Sequence, residues 1–297
     1  MRFSLITGSF LLLIPGVVLA QGPQLFPSAD AAARALIQAA QQNNTVQLSA
    51  IFGEQGRQML TTGNATQDQT ELRQFAQAAQ TKFQLETDLT NPDRVYLAVG
   101  AEYWPFPAPI VHTRGGWMFD PSQGAIEIKA RRIGADEMDA IQICSGVVAA
   151  QQQYASQARD QHGIQEYAPQ LMSSPGEHDG LYWDGATPPL IPRGLAEAEL
   201  SGANPNPKPY HGYYFRVLTS QGPDANGGPH QYLVNGMMFG GFALEAWPEE
   251  YGVTGIHTFI VNQSGHVFEK DLGEHTTTLA SAIRTYNPDS SWMEVDE

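Results

Sequence analysis

The order of the periodic segments constrains the fold of this chain most, because helical patterns precede strand patterns twice. In residues 26–50 and again in residues 68–83, apolar side chains recur at helical spacing, and Ser28 is placed to cap the first helix. Strand-like alternation follows in residues 94–99 and on both sides of the Gly115-Gly116 turn. Helices that precede a small antiparallel sheet predict a compact α+β unit.

The second half of the chain repeats this order with a longer helix and a larger sheet. Residues 131–159 carry the longest helical pattern, a shorter one covers residues 166–172, and residues 173–209 are rich in Pro, Gly and Asp. The strand segments and a short closing helix that follow are residues 212–220, 232–234, 237–247, 256–261, 266–270 and 279–286. We therefore expect two α+β domains after the leader, residues 21–133 and 134–297.

The first 20 residues predict export. Arg2 gives a positive start, an unbroken apolar run covers residues 11–20, and small residues stand at positions −3 and −1 of a cut after Ala20. The run is too short to span a bilayer, and no other segment has the length and apolarity of a membrane helix. We expect a soluble periplasmic or secreted protein, without membrane insertion once the signal peptide has been removed.

The charge of the chain argues against some partners. It carries 31 acidic and 16 basic residues, a net charge of −15, and residues 160–297 hold most of the acidic excess. Nucleic acids and anionic membranes need basic surfaces, so neither is expected as a partner. The acidic balance suits solubility or a cationic partner.

The single cysteine, Cys144, rules out an internal disulfide, so stability must come from the hydrophobic core. It lies in a helical pattern with Ile141, Ile143, Val147 and Val148, which indicates a buried small apolar residue. No basic cluster stands beside it in sequence to lower the pKa of its thiol.

Known folds resemble the two expected domains. The N-terminal one resembles the nuclear-transport-factor-2-like and cystatin-like folds, in which helices pack on a curved antiparallel sheet. The long helix and antiparallel sheet of the second resemble the globular part of pilins. A pilin keeps an apolar helix after its leader, whereas here the polar, proline-containing segment GPQLFPSAD (residues 22–30) follows. A pilin-like structural subunit is therefore the disfavoured interpretation.

Several longer segments carry a more specific likeness. They are SSPGEHDGLYW (residues 173–183), PYHGYYFRVLTSQGP (residues 209–223), residues 240–273, WPFPAPIV (residues 104–111) and RRIGADEMDAIQIC (residues 131–144). On these segments the chain resembles the bacterial domain-of-unknown-function family 2950 over nearly its whole mature length. The resemblance implies an exported bacterial protein and carries no activity with it.

The common short motifs of catalysis are missing from the sequence. It has no Gly-x-Ser-x-Gly elbow, His-Glu-x-x-His pair, phosphate-binding Gly-rich loop or Cys-x-x-Cys. We therefore favour a non-enzymatic periplasmic binding or assembly-accessory protein, whose partner is an unknown envelope protein or small ligand, with neither a cofactor nor a metal. Whether it is an enzyme stays open, because a catalytic triad can assemble from residues far apart in sequence.

One group of residues forms the candidate ligand-binding site. A His beside a carboxylate can act as a general base, and Tyr and Trp rings can stack on a sugar or a peptide ring. The candidates are His178, Asp179, Tyr182 and Trp183, with His211 and Tyr213 facing them. An envelope hydrolase that uses residues 177–183 is the alternative function. The alternative without any site is that this loop wraps the sheet and its polar groups fix turns.

The proline-rich segment 173–209 is predicted to lie pinned across the second domain. Its prolines exclude much regular structure, whereas its apolar side chains would be costly to leave in water. We expect Trp183 to be substantially buried and residues 204–207 to be exposed.

Overall fold

The computed structural model describes residues 22–56, 59, 61, 64–159, 163–186 and 188–295. The predicted signal peptide, residues 1–20, lies outside the described residues. Contacts divide the chain into two compact units, unit 1 up to Ile128 and unit 2 from Lys129 onward. This division falls a few residues before the boundary expected from sequence at residue 134.

Three helices open unit 1, namely α1 (Ala29–Gln41), α2 (Thr45–Gly56) and α3 (Ala65–Thr81). The predicted cap is confirmed, because the Ser28 side chain accepts a hydrogen bond from the Ala31 N–H at 3.1 Å. The Asn64 side chain caps α3 in the same way. Inside α2, Gly53 has φ +68°, so the helical path is interrupted at a residue that tolerates this conformation.

The sheet of unit 1 contains β1 (Phe83–Thr87), β2 (Arg94–Val99), β3 (Trp104–Pro105), β4 (Ile110–Thr113) and β5 (Gly116–Phe119). The strands are antiparallel in the order β1-β2-β4-β5, and β3 pairs with β2. Phe52 of α2 packs against Phe119 of β5 with ring centroids 5.1 Å apart, and both are fully buried. The helices and the sheet therefore share one hydrophobic core.

Helix α4 (Pro121–Ala155) contains the boundary between the units and supplies core residues to unit 2. It begins ten residues before the predicted start, because Asp120 and Pro121 form an N-terminus that sequence reasoning overlooked. The Asp120 carboxylate accepts from the N–H groups of Ser122 and Gln123, and proline suits the first helical position. Cys144 is fully buried in α4, as predicted. Neither α4 nor any other helix in the described ranges has the length and apolarity needed to span a membrane.

The remaining elements of unit 2 are mostly strands. In chain order they are β6 (Gln170–Met172), β7 (Gly180–Tyr182), α5 (Arg193–Glu197), β8 (Tyr213–Leu218), β9 (Ser220–Gln221), β10 (His230–Gln231), β11 (Leu233–Val234), β12 (Met237–Met238), β13 (Ala243–Pro248), β14 (His257–Asn262), β15 (Val267–Asp271), α6 (Thr276–Ala282) and β16 (Met293–Glu294). The central antiparallel sheet has the order β16-β15-β14-β13-β8. Tyr213, Phe215 and Phe259 of this sheet lie in one core with Cys144 and Tyr154 of α4.

Two helix predictions in unit 2 need correction. The helix expected in residues 166–172 is instead the short strand β6, which pairs in parallel with β7. The closing helix is α6, which ends at Ala282 and so covers only the first half of the expected residues 279–286. Both segments are short, so partners elsewhere in the fold decide their conformation. The overall class is nevertheless α+β, as predicted, while the likenesses to nuclear-transport-factor-2-like and pilin folds stay predictions.

The segment 173–209 lies against the core of unit 2 and is more regular than its prolines suggested. Leu181, Ile191 and Leu195 are buried, and the segment contains both β7 and α5. Trp183 is only partly buried while it packs against this core. Within residues 204–207, Pro205 and Asn206 are exposed, whereas Asn204 and Pro207 are half-buried. The expectation of exposure is therefore met by half of that stretch.

Candidate functional site

The residues predicted to form one site fall into two groups in the structure. Tyr154 of α4 contacts the backbone at His178, whereas Asp139 of the same helix contacts His211. The two α4 residues are 15 positions apart, which corresponds to about 22 Å along a helix. The structure thus does not bring the 178–183 residues and His211 together around one small ligand.

The first group closes a turn. The His178 ring packs against the Trp183 ring with centroids 4.9 Å apart, and the His178 carbonyl accepts from the Tyr154 hydroxyl at 2.6 Å. The Asp179 carboxylate accepts from the Ser174 N–H at 2.7 Å and the Ser174 hydroxyl at 2.8 Å. Its oxygens therefore fix the turn and do not orient the His178 ring. A binding role for this group stays a prediction.

The two tyrosines of the predicted site have different surroundings. Tyr182 is half-buried, and its hydroxyl lies 3.4 Å from an Asp184 carboxylate oxygen. Tyr213 is fully buried, and its hydroxyl donates to the His257 carbonyl at 3.1 Å. Burial raises the pKa of the Tyr213 phenol far above its ordinary value. Tyr213 is therefore a core residue, and His211 is the member of this pair that reaches the surface.

An open cleft of about 310 Å³ lies beside His211, between α4, residues 190–195 and the turn before β8. We call it the α4 cleft. Its lining is mostly apolar and consists of Asp139, Gln142, Ile143, Gly146, Val147, Leu190, Ile191, Pro192, Leu195, Tyr210 and His211. The proline-rich segment supplies one whole wall. This volume is at the lower end of the range typical of small-ligand sites.

A tight turn places His211 at the polar end of the α4 cleft. Tyr210 and Tyr213 exchange backbone hydrogen bonds, and the two residues between them have φ of +50° and +74°, as a two-residue hairpin turn requires. Gly212 is needed here because an added Cβ would lie 2.9 Å from the Thr254 Cβ. The turn projects His211 toward α4, where its Nδ1 lies 2.6 Å from an Asp139 carboxylate oxygen.

Acidic residues on α4 surround this polar end. Asp136 lies one turn before Asp139, and burial raises the pKa of its carboxyl, an effect that Arg132 opposes and Asp139 reinforces. Glu137 holds the helix in place, because one of its oxygens accepts from the Ile256 N–H at 2.8 Å and the His257 N–H at 2.9 Å. Asp139 is thus presented by a helix that is anchored to the start of β14.

Asp139 is not among the site residues predicted from the sequence. Its signal was the spacing of three acidic residues within four positions of α4. The two-residue turn was visible as His-Gly between aromatic residues, yet its target on α4 is 72 positions away. No local pattern links residues at such a distance.

The chemistry that the α4 cleft offers is limited. No Ser, Thr or Cys side chain is among its lining residues. Cys144 lies on the same helix, but its thiol is fully buried, and burial raises its pKa to about 12. Among the residues that the structure describes, no group of three His, Cys, Asp or Glu side chains is arranged to hold a metal ion. The α4 cleft therefore combines apolar walls with one Asp–His pair.

These features define a two-unit α+β protein with a ligand-sized cleft on its second unit. The chain belongs to the family described as "Protein of unknown function (DUF2950)", whose profile matches residues 23–295. The family predicted from sequence is thereby confirmed. Neither a curated protein nor a solved structure matches the chain.

Proposed function

We propose that this protein is a non-enzymatic binding or assembly-accessory protein of the bacterial envelope that uses the α4 cleft. The observation that carries the proposal is the combination of apolar walls with the Asp139–His211 pair at one end. The bound group would have an apolar body and a positively charged or hydrogen-bond-donating end. A leucine or phenylalanine beside a lysine or arginine, on a peptide or an envelope protein, has this character.

Two physical effects support this ligand class. Apolar walls favour a hydrophobic side chain, whose full burial contributes about 1.5–3 kcal/mol. Asp136 and Asp139 carry negative charge at the polar end, and the net charge of −15 attracts cations at longer range. The volume of about 310 Å³ suits one or two side chains of a partner better than a large cofactor.

Two glycines on α4 provide a matched test. An added Cβ would meet open space at both Gly146 and Gly134, but only Gly146 lines the α4 cleft. Gly146→Leu should fill the cleft, whereas Gly134→Leu should leave it open. Replacing a glycine inside a helix stabilises that helix by up to about 0.8–1 kcal/mol. Neither change is therefore expected to prevent folding.

The probe is a displayed library of short random peptides selected on the full-length mature protein. We expect enriched peptides to pair a bulky apolar residue with lysine or arginine. In fluorescence anisotropy, Gly146→Leu should abolish their binding, Asp139→Asn should weaken it, and Gly134→Leu should bind like the wild type. A selection without enrichment, or peptides that bind Gly146→Leu as tightly as the wild type, would contradict the proposal.

Hydrolysis is the second candidate function, and the Asp139–His211 distance of 2.6 Å is the observation that favours it. A carboxylate that holds Nδ1 orients the imidazole so that Nε2 can take a proton. Because the cleft lining has no hydroxyl or thiol nucleophile of the usual kinds, the attacking group would be water. His211→Ala should then abolish turnover of an ester or amide substrate while His178→Ala retains it. The reverse result would favour the loop of residues 177–183.

Location and assembly are part of the same proposal. We propose a periplasmic or secreted protein, which cell fractionation would test through recovery of a chain that begins at Gln21. A pilin-like subunit remains disfavoured because residues 22–30 are polar and contain prolines. Filaments of the purified mature protein in electron micrographs would reverse that judgement.

A further inference from the structure

A second cleft lies in unit 2, where β8 meets the C-terminal end of α6. Its volume is about 560 Å³, and its polar lining residues are Gln170, Glu199, Ser201, Arg216, Ser281 and Arg284. We call it the arginine cleft. Only five of the basic residues of the chain lie within residues 160–297, and two of them line this one cleft.

The two guanidinium groups converge. Arg216 donates through Nη1 to the carbonyls of Ser281 and Ile283, each at 3.0 Å. Arg284 donates through its own Nη1 to the Ile283 carbonyl at 2.9 Å and also to the Ser281 carbonyl. The two nitrogens therefore lie within about 6 Å of each other, a separation at which like charges repel.

The converging groups keep unused donors. Within the described part of the chain, both arginines make their hydrogen bonds through Nη1, which leaves Nε and Nη2 of each available. Arg284 is exposed, whereas Arg216 is largely buried. Burial lowers the pKa of Arg216; Glu245 opposes this effect, and the charge of Arg284 adds to it. Both arginines are nevertheless among the residues that line the cleft.

Nearby carboxyl groups neutralise these charges only in part. Glu245 lies opposite Arg216 on β13, with an oxygen 3.7 Å from Nη1. It is fully buried, and neither of its oxygens accepts a hydrogen bond from the described residues. Burial raises its pKa well above the ordinary value and raises the pKa of Glu199 to about 7. Burial therefore shifts both carboxyls toward their neutral form, which weakens the negative charge that they place beside the arginines.

We infer that the arginine cleft binds an oxyanion, the carboxylate or phosphate group of a small ligand, between Arg216 and Arg284. A planar guanidinium presents paired N–H donors that match both kinds of group. The hydroxyls of Ser201 and Ser281 and the amide of Gln170 line the same cleft and supply neutral hydrogen-bonding groups. This site is separate from the α4 cleft and does not depend on the function proposed for that cleft.

The experiment is isothermal titration calorimetry of the full mature chain with inorganic phosphate and, separately, with succinate, at constant ionic strength set by chloride. Saturable binding of phosphate alone would identify a phosphate site, and binding of succinate alone a carboxylate site. Binding of both would indicate a general oxyanion site. Saturable heat from neither probe would overturn the inference.

Substitutions then locate the binding. Arg284→Gln should weaken it by about tenfold, the loss expected for one charge-assisted contact. Arg284→Lys keeps the positive charge but lacks the planar pair of N–H donors, so it should weaken the binding less than Arg284→Gln does. Arg34→Gln is the control, because it changes the net charge by the same amount but removes an exposed arginine of unit 1 that does not line the cleft. It should bind like the wild type. Wild-type affinity in a folded Arg284→Gln protein, checked by circular dichroism, would refute the inference.

Discussion

Replacing Glu199 with glutamine should stabilise unit 2 at neutral pH. The Glu199 side chain is almost completely buried, and one of its oxygens accepts from the Leu171 N–H at 2.7 Å. Burial raises the pKa of this carboxyl from 4.5 to about 7, although the backbone hydrogen bonds act in the opposite direction. The folded chain therefore holds the proton of Glu199 more tightly than the unfolded chain does.

The sign and size of the effect follow from this difference. Because the folded state binds the proton more tightly, the stability that Glu199 contributes is fully present below pH 4.5. It is lost as the pH rises through about 7. At about 1.4 kcal/mol per pH unit, the loss amounts to about 3 kcal/mol of the free energy of unfolding. Glutamine keeps the acceptor oxygen and has no proton to release, so this loss should disappear.

The assay is urea unfolding near pH 4.5 and near pH 7, followed by tryptophan emission and by circular dichroism. Glu199→Gln should resemble the wild type at the lower pH and exceed its stability by up to about 3 kcal/mol at the higher pH. Glu197→Gln is the matched control, because Glu197 is only half-buried and a hydrogen bond from Arg193 lowers the pKa of its carboxyl. The reasoning would be refuted if the wild type and Glu199→Gln lost the same amount of stability between the lower and the higher pH.

Two further predictions concern α4. Glu137→Ala leaves the Ile256 and His257 N–H groups without their acceptor and should cost about 2–4 kcal/mol in urea unfolding. Glu137→Gln retains an acceptor oxygen and should cost clearly less, so equal losses would argue against this anchoring role. The Cys144 thiol should not react with an aromatic disulfide reagent in the native protein, because it is buried and its pKa is raised to about 12. Unfolding in urea should expose it to rapid labelling, and rapid labelling of the native chain would contradict the buried position.

Local sequence patterns predicted the structure correctly where interactions between residues close in sequence decide the conformation. Residues 94–97 alternate in polarity and burial, and β2 (Arg94–Val99) begins with them. Ser28 caps α1 because a side-chain oxygen one position before a helix satisfies a free N–H nearby. Burial of Cys144 follows from its place on the apolar stripe of α4. The start of α4 at Pro121 also depends on local sequence, because an aspartate followed by a proline is typical of a helix N-terminus.

Other features depended on contacts between distant residues, and only the tertiary structure decided them. Strand β6 exists because β7 pairs with it, and Asp139 meets His211 across 72 positions of sequence. The separation of His178 from His211 likewise arises from where each contacts α4. The sequence by itself determined the family, the α+β class and most helices and strands, since these depend on patterns a few residues long. The two clefts depend on side chains that the folded backbone brings together, because burial, charge repulsion and hydrogen bonding at a site act through space and not along the chain.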